Sequence, residues 1–377
     1  MDRGDGVRVA VIGGGMAGVS IGYELAAEAR VIVLEQEQEL AYHTTGRSAA
    51  MYLQSYGNVL VRALTAASAP DFHRLERSLS VSALLTEDPV LWVADEYARP
   101  ALEALLATEA PLRAVSSAEA VALCPALRLE RLVGGAVDVS ARRIDVMGLH
   151  RAYVAGLLAR GGAVRCSAPV TDLDRTLEGW TVRTPDGSFA VDMVVNASGA
   201  WADHIAHLAG VAPVGICPLR RTLFTSPVTW PEPIQAWPFV ADCAERYYFK
   251  AEHDQVMVSP ADEAPDQPRD TKPEELDIAC ALEIINEHTT LGLRSVRSSW
   301  AGLRCFVGDR SPVVGCRRSE PAFFWFAGQG GYGIQMAPAL ARLGAALLLG
   351  LSLPPDLERL IDPAALSPER IMSTVVS

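Results

Sequence analysis

The side chains in this chain that could hold or activate a small molecule are few and lie far apart. Gly13, Gly15 and Gly18 form G-x-G-x-x-G, Arg221 stands in "PLRRTLF", Tyr248 in "YYFK", Arg304 in "WAGLR", and Gly330, Gly331 and Gly333 in "GQGGYGIQ". Glycines at the first spacing permit a tight turn and the approach of backbone N–H groups to a pyrophosphate. An arginine fork matches a carboxylate with two parallel hydrogen bonds, which an ammonium cannot do. The last glycines run into a helix, where N–H groups and the positive end of the dipole are available to a ligand. Near the N-terminus lies "HTTGRSAAMYLQSYG", His43 to Gly57. Its first half is small and hydroxyl-bearing, suited to backbone and hydroxyl contacts. Its second half, with Met51, Leu53 and Tyr56, is suited to an apolar pocket.

Other chemistries lack their residues. The histidines are scattered, and His204 and His207, three apart, have no third ligand for a metal, so they read as surface or structural. Seven cysteines without a CxxC pair point to a reducing compartment and to neither a zinc site nor a disulfide framework. A net charge of -12 argues against a nucleic-acid partner, since phosphate contacts need basic patches. The longest apolar run, Leu340 to Leu353, contains Arg342 and reads as a packed helix, not a membrane span. The mixed charge of "MDRGDG" does not suit a signal peptide. The expectation is a cytoplasmic protein with a small-molecule substrate, no metal and no transmembrane segment.

The elements that must position these residues can be read in part. Val7 to Ile12 is a β-branched apolar run and reads as a buried strand; Ala17 to Ala27 carries helix formers; Val31 to Leu34 reads as a second strand ending in Glu35. Strand, glycine turn, helix, strand and acid in that order make a dinucleotide site. Gly13, Gly15, Met16, Ala17 and Gly18 would lie at the phosphates, and Glu35 and Gln36 at the ribose. The pattern fits NAD or FAD; Glu35 would repel the 2′-phosphate of NADP. Val90 to Ala94 reads as a strand and Arg99 to Thr108 as a helix, and Asp145 caps a helix running to Arg160. "RRTLFTS", "YYFKA" and "QVMVSP" are strand-like, and the charged, Pro-rich "ADEAPDQPRDTKPEELD" reads as a solvated loop.

The pieces "VIGGGMAG", "HTTGRSAA", "VRALTAAS", "VVNASGAWAD", "YYFK", "WAGLR" and "GQGGYGIQ", in that order across nearly the whole chain, resemble the D-amino-acid-oxidase group of flavoproteins. That group includes glycine oxidases, sarcosine oxidases and D-amino-acid dehydrogenases, and the likeness is greatest to the D-arginine dehydrogenases. The resemblance implies an α/β fold: a Rossmann-like FAD-binding domain (1–80, 145–214, 300–377) interleaved with an α+β substrate domain (81–144, 215–299) whose sheet is mostly antiparallel. It implies non-covalent FAD, with Thr44, Thr45, Gly46, Arg47, Ser48 and Ala49 wrapping pyrophosphate and flavin. Val170 would lie along the adenine, and Ala197, Ser198, Gly199 and Trp201 near the nucleotide. Gly330, Gly331, Tyr332, Gly333, Ile334 and Gln335 would face the flavin's pyrimidine edge. It also implies that Arg304 and Tyr248 hold the substrate carboxylate, with Arg221 and Tyr56 in the site, and that the amine-bearing carbon gives a hydride to flavin N5. The resulting imine hydrolyses.

The chain departs from the D-arginine dehydrogenase pattern on the side of the pocket that meets the cationic substrate tail. Met51 stands where that pattern has His, Leu53 replaces a hydroxyl residue, and Val90, followed by Leu91 and Trp92, replaces an acid. The expected substrate is therefore an N-substituted glycine or an amino acid with a bulky apolar group, or an apolar D-amino acid. A cationic side chain there would be buried without a partner. Oxygen or another electron acceptor, and a flavin-binding or electron-carrying protein without amine chemistry, remain open.

Overall fold

A computed structural model of the chain describes residues 6–371. The glycine motif folds as expected. Strand Arg8–Ile12 runs into Gly13, helix Met16–Leu25 follows, and strand Arg30–Leu34 returns parallel to the first. These two strands are central in a six-stranded sheet with the order 313–317, 320–327, 193–196, 8–12, 30–34, 163–165. Only Val313–Arg317 is antiparallel to its neighbour. Parallel strands are covered on both faces, and their residues alternate between two cores. Val9, Val11, Val195, Phe324 and Phe326 pack under the helices Met16–Leu25, Val59–Leu79, Val146–Ala159 and Gly333–Leu349. Ala10, Ile12, Val194, Phe323 and Trp325 pack against the opposite layer, which holds a small antiparallel sheet of Asp172–Thr176, Gly179–Thr184 and Gly187–Val191.

A second sheet has nine strands. Its backbone is the order 264–265, 217–227, 255–259, 248–252, 239–242, 90–94, 134–138, 112–115, with Ser298–Phe306 paired along Cys217–Pro227. Its one parallel pair is Phe239–Asp242 with Val90–Ala94. The fold is thus α/β, a Rossmann-like unit joined to a mixed but mostly antiparallel sheet. Strand Met51–Tyr52 belongs to neither sheet and pairs with Arg142–Ile144.

Most elements end within two residues of their expected limits, and Asp145 caps its helix by accepting a hydrogen bond from Gly148 N at 2.8 Å. The segment Ala261 to Asp277 differs. It carries a short strand at Ala264–Pro265, helix Glu275–His288 begins inside it, and Asp262, Glu263 and Asp277 are ligands of strand backbone or buried arginines, while Asp270, Glu274 and Glu275 stay exposed as expected of a solvated loop. The reason is that arginines on neighbouring strands need carboxylates once buried.

Candidate cofactor and substrate site

One cavity of about 500 Å³ joins the two sheets and is lined by nearly all the residues singled out in the sequence. At one end is the glycine turn. Gly13 has φ +111°, and a Cβ there would strike the Ala197 carbonyl; a Cβ on Gly18 would strike Gly13 O. The turn is held from outside: Gly14 N donates to Glu35 Oε2 at 2.7 Å, Glu37 N donates to Glu35 Oε1 at 2.9 Å, and Met16 N donates to Thr45 Oγ1 at 3.0 Å. The Gly14 carbonyl accepts from His150 Nε2 at 2.9 Å, so this buried imidazole carries its proton on Nε2. Burial holds its pKa below the usual value, in keeping with a neutral structural ring. Gly15 caps the helix without a side-chain partner and faces the cavity, as do Met16, Ala17, Glu35 and Gln36. A glycine cradle that any Cβ would fill, a helix start and a buried acid fit a dinucleotide such as FAD.

The stretch Thr44–Arg47 forms one turn of 3₁₀ helix and bridges to the far sheet. Thr44 Oγ1 donates to Leu303 O at 2.8 Å and accepts from Leu303 N at 3.2 Å. Arg47 turns outward, bonding Asp270 Oδ1 at 2.6 Å, Ala301 O at 2.9 Å and Thr271 O at 3.2 Å. Thr44, Thr45, Arg47, Ser48 and Ala49 line the cavity, together with Val170, Ala197, Ser198, Gly199 and Trp201. Gly46 does not; its N–H closes the turn on Ala41 O.

At the other end, Arg221 and Arg304 project from one face of the paired strands Cys217–Pro227 and Ser298–Phe306, where Gly302 stands opposite Arg221. Both are buried, and a third residue, expected in a solvated loop, holds them. Glu263 Oε1 accepts from Arg304 Nη1 at 3.1 Å and from Arg221 Nη2 at 3.2 Å, while Arg310 binds both of its oxygens at 2.8 and 3.0 Å. Burial raises the Glu263 pKa, but the Arg310 hydrogen bonds and the charges of Arg304, Arg310 and Arg221 outweigh it and hold the carboxyl below the usual range. Arg304 Nη2 donates to Tyr56 Oη at 2.9 Å, and Tyr56 donates on to Glu245 Oε2 at 3.1 Å. Burial pushes the Tyr56 phenol up to about 12, so it remains a neutral donor and acceptor. The Arg304 guanidinium also sits among the rings of Phe306, Tyr332 and Tyr56, 5.4, 5.7 and 5.8 Å from their centroids.

Between the ends is an apolar wall of Met51, Leu53, Tyr56, Trp92, Phe239, Ala241 and Tyr248, with Phe239 and Tyr248 stacked 5.3 Å apart. Val90, expected in this wall, is fully buried behind it and does not line the cavity. Its parallel partner Phe239 does so in its place. Glu245, unforeseen, also lines the cavity, but it is exposed and engaged by Tyr56. Gly331, Gly333, Ile334 and Gln335 line the cavity floor with Gly330; Tyr332 packs beside it. The Gln335 side chain is occupied in clamping Leu53, accepting from its N–H at 3.0 Å.

Residues 8–347 match the family described as FAD dependent oxidoreductase. Dimethylglycine dehydrogenase of Mus musculus is 27% identical over 68% of this chain, which spans 30% of that protein's length. Glycine oxidase of Pseudomonas putida is 25% identical, with 96% of this chain and 98% of that protein covered. The crystal structure of glycine oxidase from Geobacillus kaustophilus superposes with a TM-score of 0.82 at 21% identity, covering 96% and 98% of the two chains.

Proposed function

The chain belongs to the FAD-dependent oxidoreductases, and from that premise we propose that it oxidises the C–N bond of an amino acid or N-substituted glycine whose remaining group is bulky and apolar. The observation that carries this is the convergence of two buried arginines and an apolar wall on the cavity that also holds the glycine cradle. FAD, when bound, supplies the two-electron acceptor. Arg304 and Tyr248, with Arg221, hold the carboxylate, and the bidentate geometry fixes the adjacent carbon in one orientation. Tyr56, a neutral phenol, restrains the Arg304 fork from the side. Met51, Leu53, Trp92 and Phe239 exclude water from the other substituent. Relatives named glycine oxidase and dimethylglycine dehydrogenase support oxidation next to an amine. The same reading divides the chain into a cofactor domain (1–80, 145–214, 300–377) and a substrate domain (81–144, 215–299), and places the enzyme in the cytoplasm.

The test is an anaerobic screen of flavin absorbance against D-amino acids, L-amino acids and N-alkylglycines, repeated in air with peroxide detection. Bleaching by apolar members supports the reading. A flavin that no amino acid or N-alkylglycine reduces would refute it.

A further inference from the structure

The glycine turn is gripped by a side chain that never reaches the cavity. Gly14 is buried and does not line the cavity, whereas the next residue, Gly15, is partly exposed and does. The peptide joining them is trans, so its C=O and N–H point in opposite directions. The Gly14 carbonyl accepts from His150 Nε2 at 2.9 Å and from Ala41 N at 3.3 Å, and His150 lies outside the cavity lining. The Gly15 N–H therefore points the other way, and it has no acceptor among the described residues. The bond from Gly14 N to Glu35 Oε2 fixes the preceding peptide plane, not this one.

The plane between Gly14 and Gly15 needs such a grip. Glycine on both sides removes the steric bar to turning the peptide over. Turned over, it would present a carbonyl oxygen, not a donor, to a pyrophosphate. The shorter of the two bonds that prevent this comes from His150, which is 2% exposed on helix Val146–Ala159, beside Leu149 and Tyr153 in the core shared with helix Met16–Leu25. A polar ring in that core costs more than a leucine unless its hydrogen bond is made. We propose that His150 is a positioning residue for the cofactor: its Nε2–H holds the Gly14–Gly15 peptide in the orientation that offers the Gly15 N–H to the FAD pyrophosphate. His150 acts only through the turn. The inference rests on FAD binding and not on which amine is oxidised.

The experiment measures binding to the apoprotein. FAD is followed by quenching of its fluorescence, and ADP-ribose, which carries the pyrophosphate without the flavin, by competition with FAD. His150→Leu keeps the bulk and removes the donor; His150→Gln sets an amide N–H near the place of Nε2. The Leu variant should bind FAD and ADP-ribose more weakly by one common factor, about tenfold, and the Gln variant should recover most of that loss. An unchanged Kd for FAD in His150→Leu would overturn the inference. So would a Gln variant as weak as the Leu variant, because the donor would then not be what matters. A loss for FAD that ADP-ribose does not share would also overturn it, since the effect would lie at the flavin. Should His150→Leu fail to fold, the wild type decides. Nitrogen NMR of the holoenzyme, with the His150 ring assigned by its absence in His150→Gln, should show the proton on Nε2, and a proton on Nδ1 alone would overturn the inference.

Discussion

Glu263 shares one carboxylate among three arginines, and two of those arginines face the cavity. Its effect is to lower the repulsion between Arg221 and Arg304 and to fix both forks before a ligand arrives. Arg304→Ala should abolish measurable substrate binding and turnover while FAD absorbance stays, since a buried charge-assisted contact is worth on the order of 2–5 kcal/mol. Arg304→Lys should be nearly as poor. Unchanged kcat/KM in either variant would place the anchor elsewhere. Glu263→Gln should raise KM roughly tenfold with a smaller change in kcat, because binding is what pre-organisation assists. Its pKa direction sets the acid limb. A carboxyl held below the usual value contributes stability that is complete above the unfolded glutamate pKa of about 4.3 and fades as pH falls toward the folded value. Thermal stability against pH should therefore lose part of its acid-side slope in the Gln variant; parallel profiles would count against this. The arginines were legible because their motifs and the fork chemistry are local. Glu263 was not, because only the folded strands bring Arg221, Arg304 and Arg310 to it.

The elements place these residues by strand alternation and close backbone approach. Gly331 packs so tightly on the anchor that an added Cβ would overlap the Arg304 guanidinium. Gly331→Ala should displace the fork, raising KM about tenfold or more while the dinucleotide end keeps its cofactor; equal KM would show that the loop yields. On strand Ser298–Phe306, Cys305 is the thiol nearest the anchor, but it alternates to the other face, and burial pushes its pKa up to about 12. A neutral thiol is a poor nucleophile, so acid precipitation should release all yellow colour into the supernatant, and a coloured pellet would contradict this. Element types were readable from short apolar runs, as at Val90–Ala94. Which residue of that strand reaches the cavity was not, because the neighbour that intervenes, Phe239–Asp242, comes from a point in the chain far removed.

At the scale of the whole molecule, the two sheets divide the ligand between them. On the proposed reading, one end takes the dinucleotide, the other the substrate carboxylate, and the wall between selects the remaining group. For alkyl substituents, kcat/KM should rise nearly fourfold per methylene until the wall is filled, from about 0.8 kcal/mol of transfer free energy each. D-Arginine should rank below D-leucine and D-phenylalanine, since the acids that line the cavity near the wall are engaged, Asp242 by Arg246 and the exposed Glu245 by Tyr56. A higher kcat/KM for D-arginine would overturn that order. In the Rossmann-like half, the first strand, helix and second strand were legible from one contiguous motif, whereas the strands Val313–Arg317 and Glu320–Ala327 of the same sheet were not. The mostly antiparallel half was legible as a set of strands, but its order was not, since long-range pairing leaves little local trace.

The stitching of Thr44 and Arg47 to Leu303 and Ala301 has a consequence for biosynthesis. A ribosome delivers the phosphate turn first, yet the strand that closes the loop over the cofactor emerges some minutes' fraction later, after most of the polypeptide has left the tunnel. The strand Glu320–Ala327, which covers the edge of Met193–Asn196, follows later still. Until then a nascent chain also lacks Gly333–Leu349, one of the four helices that cover Val9, Val11 and Val195. Closure of the turn Thr44–Arg47 against its partner strand therefore needs most of the chain, and apolar surface exposed before then is open to misassembly.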